Sequence, residues 1–95
     1  MEKISRFLRK VSEENNFYFF TYDRSGEIWV SGYINDTKFD LVVKPIRKHQ
    51  VKVIFETPDE RRVALFNNKI DAYRRIKKLL TVQENQDRGE TVQPA

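Results

Sequence analysis

Trp29 and Tyr33 fall in the opposite phase to Ile28, Val30 and Ile34. In an extended chain, where side chains alternate sides, this puts the two aromatics on one face and the three aliphatics on the other. Lys38, Lys44 and Lys52 sit in the matching phase of the two segments that follow. Before them runs Phe17-Tyr18-Phe19-Phe20-Thr21-Tyr22, aromatic in both phases. It therefore contributes either Phe17 and Phe19 or Tyr18, Phe20 and Tyr22 to the Trp29 face, depending on hairpin register. Rings beside ammonium groups on an open sheet make a platform for single-stranded DNA or RNA. Bases stack on the rings for about 1–3 kcal/mol each, and the cations hold the phosphates.

The loop between Lys44 and Lys52 adds Arg47 and Lys48 and contains no acid, and Arg61 and Arg62 follow near the next turn. The expected nucleic-acid-binding set is thus Trp29, Tyr33, Lys38, Lys44, Arg47, Lys48, Lys52, Arg61 and Arg62. If a fifth strand forms, Arg62 and Phe66 are expected on the same face.

Other chemistries find little to work with. His49 is the single histidine and stands among Lys44, Arg47 and Lys48, whose charges oppose a bound cation. As an acid–base catalyst it would need an orienting partner and a nucleophile, and the sequence marks neither. Gly26, Gly32 and Gly89 are too scattered for a phosphate-binding loop. The carboxylates fall at turns and on helix faces. Asp40 is the one acid inside a strand pattern, and it points outward. Asn35-Asp36-Thr37 matches a glycosylation acceptor and reads better as a turn. No enzyme activity, metal or cofactor is expected.

With no cysteine, the chain offers neither disulfides nor thiolate chemistry. A domain this small without such staples fits an intracellular, cytoplasmic setting. No stretch approaches the roughly 20 apolar residues of a membrane span, and the acidic residues Glu2, Glu13 and Glu14 do not suit a signal peptide. The charge is unevenly placed. From Gln83 onward Arg88 stands against Glu84, Asp87 and Glu90, a net −2, which leaves +6 on residues 1–82 of a chain whose total is +4. A basic body favours anionic partners.

The elements that must position these residues follow from periodicity. Ile4, Phe7, Leu8 and Val11 form one stripe of a helix over 2–14, and Asn15-Asn16 offers a left-handed stop. Strands are expected over 17–22, 27–34, 38–44 and 51–57. Asp23-Arg24-Ser25-Gly26 and Asn35-Asp36-Thr37 turn the chain between the first three, and Pro45 ends the third. Residues 57–68 admit two readings. Thr57-Pro58-Asp59-Glu60 either starts a helix or turns the chain into a fifth strand over 62–67, and the alternation of Val63 and Leu65 favours the strand. Asn68 caps a helix over 69–82, with Asp71 at its third position and Ala72, Tyr73, Ile76, Leu79 and Leu80 inward. Residues 83–95 are polar and aperiodic and read as a disordered acidic tail. The fold class is α+β: an N-terminal helix, a four- or five-stranded antiparallel meander and a C-terminal helix, in one domain over 1–82.

On these residues the chain is expected to be a small basic, non-catalytic domain that binds single-stranded nucleic acid through an aromatic and basic sheet face. A protein–protein interaction module is the alternative. Such a module would be a small virus- or phage-encoded inhibitor or adaptor that docks on an acidic protein surface, or a homodimer. A third reading has the aromatics simply buried, by a helix on each face of the sheet or by a second subunit, with the basic helix faces as solvated surface.

Overall fold

The computed structural model describes the backbone of residues 1–92 and the side chains of residues 1–80. The last helix, expected over 69–82, runs on to Val92 in the backbone; the expected domain boundary at 82 and disordered tail over 83–95 concern residues whose side chains lie outside the described ones. The order of elements is α1 (Glu2–Asn15), β1 (Tyr18–Thr21), β2 (Ile28–Ile34), β3 (Thr37–Pro45), β4 (Val51–Glu56), β5 (Arg61–Phe66) and α2 (Lys69–Val92). The strands form one antiparallel sheet in the order β1-β2-β3-β4-β5, a pure meander.

Local chemistry accounts for each boundary. Asn16 closes α1 in the left-handed region at φ 60°, its N–H donating to the Ser12 carbonyl. Gly26, at φ 77°, completes the β1–β2 turn, and its N–H donates to the Tyr22 carbonyl at 2.7 Å. Asn35 and Asp36 both carry positive φ, 52° and 66°, the backbone of a two-residue turn whose twist matches that of the strands it joins. The ambiguous stretch resolves as a strand. The Thr57 N–H donates to the Glu60 carbonyl at 2.9 Å across Pro58-Asp59, and Arg61 pairs with Glu56 directly after that turn. Asn68 caps α2 as its sequence position predicts. Its Oδ1 accepts from the Asp71 N–H at 2.8 Å, and its amide donates back to the Asp71 carboxylate at 3.0 Å.

Both helices lie on the same face of the sheet. Ile28 and Val30 of β2, Phe39, Leu41 and Val43 of β3, and Val51, Val53 and Phe55 of β4 bury against Ile4 and Leu8 of α1 and Ala72, Ile76 and Leu80 of α2. Phe7 meets Tyr73 edge-to-face at 5.7 Å, joining the helices over the sheet. α1 covers the β1–β2 end and α2 the β4–β5 end. The deepest row of α1 is Ile4, Leu8 and Ser12, not Val11, and the buried Ser12 hydroxyl has no hydrogen-bond partner among the described residues. Gly32 faces this side as well. Phe17 lies across it and meets Phe39 edge-to-face at 4.9 Å.

Candidate binding face

With both helices on one side, the opposite face of the sheet stays uncovered within the chain. Its composition follows from strand register and reads as rows running across the strands. The middle row is Phe20, Trp29, Val42, Ile54 and Val63, apolar from β1 to β5. On one side of it lies Tyr18, Ser31, Asp40, Glu56 and Arg61. On the other side Lys44, Lys52 and Leu65 stand in register. Tyr33 and Lys38 pair near the β2–β3 turn.

The β1 register places Tyr18, Phe20 and Tyr22, rather than Phe17 and Phe19, on this face. Trp29 is 37% exposed and Tyr33 66%. The rings touch one another. Phe20 meets Tyr22 edge-to-face at 4.8 Å, and Tyr22 meets Trp29 at 6.1 Å. The Trp29 indole donates to Glu27 Oε1 at 3.1 Å, which holds the ring in place. Toward β5 the character turns aliphatic. Val42 and Ile54 are nearly buried by their neighbours, at 6% and 7% exposure, while Val63 and Leu65 are open to solvent.

Six of the nine expected site residues share this face: Trp29, Tyr33, Lys38, Lys44, Lys52 and Arg61. Arg47 and Lys48 are exposed in the adjoining loop, which closes where the Ile46 N–H donates to the Gln50 carbonyl. Arg62 and Phe66 correct the expectation. Arg62 is in register with Phe55 and Phe66 with Val51, so both belong to the helix side of the sheet, while Arg61, Val63 and Leu65 take the open side. The reason is the turn length: two residues between Thr57 and Glu60 oblige Arg61 to pair with Glu56. Arg62 is also already engaged. It holds Glu60 at 2.6 Å, and that hydrogen bond and charge raise its pKa above the ordinary guanidinium value.

Sequence reasoning placed Asp40 outward as the one acid inside a strand and missed Glu27 and Glu56 beside it. Lys38, Lys44, Lys52 and Arg61 share the face with Glu27, Asp40 and Glu56, so four cations meet three acids. The acids are partly occupied: the Ser31 hydroxyl donates to Asp40 Oδ1 at 2.6 Å, and Arg61 approaches Glu56 at 4.0 Å. The signal was present in the strand phases, since Asp40 and Glu56 alternate with the same core residues as the lysines do.

Elsewhere, clefts of about 440 and 500 Å³ open along α1, the first lined by Arg9, Ser12, Glu13, Asn16, Phe17 and Phe19. Among the described residues no three His, Asp or Glu side chains gather as a metal site, and no helix is long and apolar enough to cross a membrane. Compared with known proteins, the chain matches no family model, no curated protein and no solved structure.

Proposed function

We propose that this chain is a non-catalytic binding domain whose working surface is the open sheet face, and that the face takes single-stranded nucleic acid. One observation carries the reading: Tyr18, Phe20, Tyr22, Trp29 and Tyr33 are all exposed on a face that also bears Lys38, Lys44 and Lys52. A large exposed aromatic patch is costly to a folded chain unless something uses it. Unpaired bases offer flat partners to such rings, and Lys44, Lys52, Arg47 and Lys48 gather positive charge at one end of the platform.

Titrating a labelled oligonucleotide at several salt concentrations tests this. Trp29→Ala is expected to weaken binding by about 1–3 kcal/mol without changing the salt slope, because stacking releases no counterions. Lys48→Ala is expected to weaken binding and to lower the slope of log K against log salt by about 0.7, the single-strand value per phosphate contact. Duplex is expected to bind less well, since its stacked bases cannot reach the rings. Affinity no tighter than millimolar at low salt would refute the reading.

A protein occupant is the second reading. The exposed Val63 and Leu65 favour it, because aliphatic side chains give bases nothing to stack on and suit the apolar centre of a protein interface.

A further inference from the structure

Two cross-strand pairs on the open face set like charges directly opposite each other. Lys44 faces Lys52, and two residues along each strand beyond Val42 and Ile54, Asp40 faces Glu56. Like charges in register destabilise a sheet. The basic pair has no ion-pair partner among the described residues, and the acidic pair has one distant contact, Arg61 at 4.0 Å from Glu56. A repulsive pair on each side of an apolar row calls for a counter-surface with the signs exchanged.

The chain itself supplies that surface. Turn a second copy over about an axis running along the middle row, from β1 to β5. Each strand then lies on its own counterpart, pointing the opposite way, and the apolar row lies on itself. The same rotation exchanges the two sides of the row. Lys44 and Lys52 come over the partner's Asp40 and the partner's Glu56, and Asp40 and Glu56 come under the partner's Lys44 and the partner's Lys52. We infer that the open face pairs with the same face of a second copy, forming a two-fold sheet-on-sheet dimer in which each repulsive pair meets its opposite.

Such an interface is isologous, as closed dimers require. It matches the aligned packing of two sheets about 10 Å apart, with their inner side chains meeting in one layer. Its size is modest. Five strands about 4.8 Å apart and three rows of side chains about 6.7 Å apart give about 500 Å² in flat projection per copy. Even allowing for the relief of the projecting rings, that falls at the small end of specific interfaces, where association depends on concentration. The inference rests on the charge pairs of β3 and β4 and extends the protein-occupant reading. It does not need nucleic acid to bind, and an oligonucleotide that does bind this face must displace the second copy.

The test is sedimentation equilibrium on the full chain, purified free of nucleic acid and followed across a wide concentration range. The wild type is expected to pass from monomer to dimer as concentration rises. Lys44→Glu places an acid opposite Lys52 within its own sheet, so it relieves repulsion in the monomer and should fold at least as well. In the dimer it faces the partner's Asp40, and the dissociation constant is expected to rise roughly tenfold or more. Adding Asp40→Lys to that variant exchanges the signs on both copies and is expected to restore association. Circular dichroism on each variant checks that it is folded. A wild type that stays monomeric up to about 1 mM, a scale at which even weak complexes form, would overturn the inference. So would a double variant that associates no better than Lys44→Glu alone. Oligonucleotide titration of the same samples separates the two proposals. A monomer that binds oligonucleotide overturns the dimer and leaves the proposed function standing. A dimer that ignores oligonucleotide supports the dimer and refutes the proposed function.

Discussion

Replacing Gly32 by alanine tests the packing that seats β1 on the sheet. A Cβ built at Gly32 would lie 2.5 Å from Phe17 Cδ1 and 3.2 Å from Cε1 and Cγ. Carbon atoms in good contact sit about 3.5–4.0 Å apart, so the ring must retreat by about 1 Å. Retreat is not free, because the same ring packs edge-to-face on Phe39 at 4.9 Å. Crowding of this kind in a packed site typically costs about 1–3 kcal/mol. Against it stands the lower unfolded-state entropy of alanine, about 0.4–1 kcal/mol in favour of the variant. The net expectation is a loss of about 1–2 kcal/mol, which in a domain of this size lowers the melting temperature by about 5–15 °C.

Thermal and urea unfolding of Gly32→Ala, Phe17→Ala and the double variant supply the measurement. In the Phe17→Ala background the clash has no object, so Gly32→Ala should be neutral or stabilising there, and the double-mutant cycle should show coupling between the two sites. A Gly32→Ala protein as stable as wild type, with no coupling to Phe17, would refute the packing and with it the seating of the N-terminal half of β1.

Two further expectations concern the helices. Ser12→Ala removes a buried hydroxyl that lacks a partner among the described residues and should leave stability unchanged or raise it by up to about 1 kcal/mol, as read from the urea midpoint. Asn68→Ala removes the cap of α2 and should cost about 0.5–2 kcal/mol in the same assay, while Asn68→Asp, which keeps an acceptor for the Asp71 N–H, should cost much less.

The element order was legible because its signals are local. Asn16, Gly26 and Asn68 mark their boundaries by conformations or hydrogen bonds that few other residues provide, and the alternation in β2, β3 and β4 separates core from surface without help from the rest of the fold. Three features were not legible, each for a reason that alternation cannot supply. β1 is aromatic in both phases, so its register waited on a tertiary fact, the hole at Gly32 that admits Phe17. Val63 and Leu65 look inward by hydropathy, yet the two-residue turn at Pro58-Asp59 sends them outward and turns Arg62 and Phe66 toward the helices. Ser12 is polar and still sits in the deepest row of α1, because helix rotation is set by Ile4 and Leu8 above it. The candidate site was legible in its members and not in its pattern. The lysines and rings could be assigned a face residue by residue, whereas the opposition of Lys44 to Lys52 and of Asp40 to Glu56 exists only once β3 and β4 are in register.

The meander has a kinetic corollary. Each strand pairs with its neighbour in sequence, so the sheet can assemble hairpin by hairpin through short loops, whose closure costs little entropy. Chains rich in such near-neighbour contacts fold quickly. The contact of Phe7 with Tyr73 is of another kind, since it joins α1 to α2 across the sheet that separates them in sequence. If it forms only after the strands are in place, φ-value analysis is expected to give Phe7→Leu a value near zero. Interactions absent from the transition state act on the unfolding rate alone. Phe7 and Tyr73 would then act as a latch: Phe7→Leu is expected to speed unfolding and leave the folding rate nearly unchanged in a stopped-flow chevron, and an equal slowing of folding would refute this.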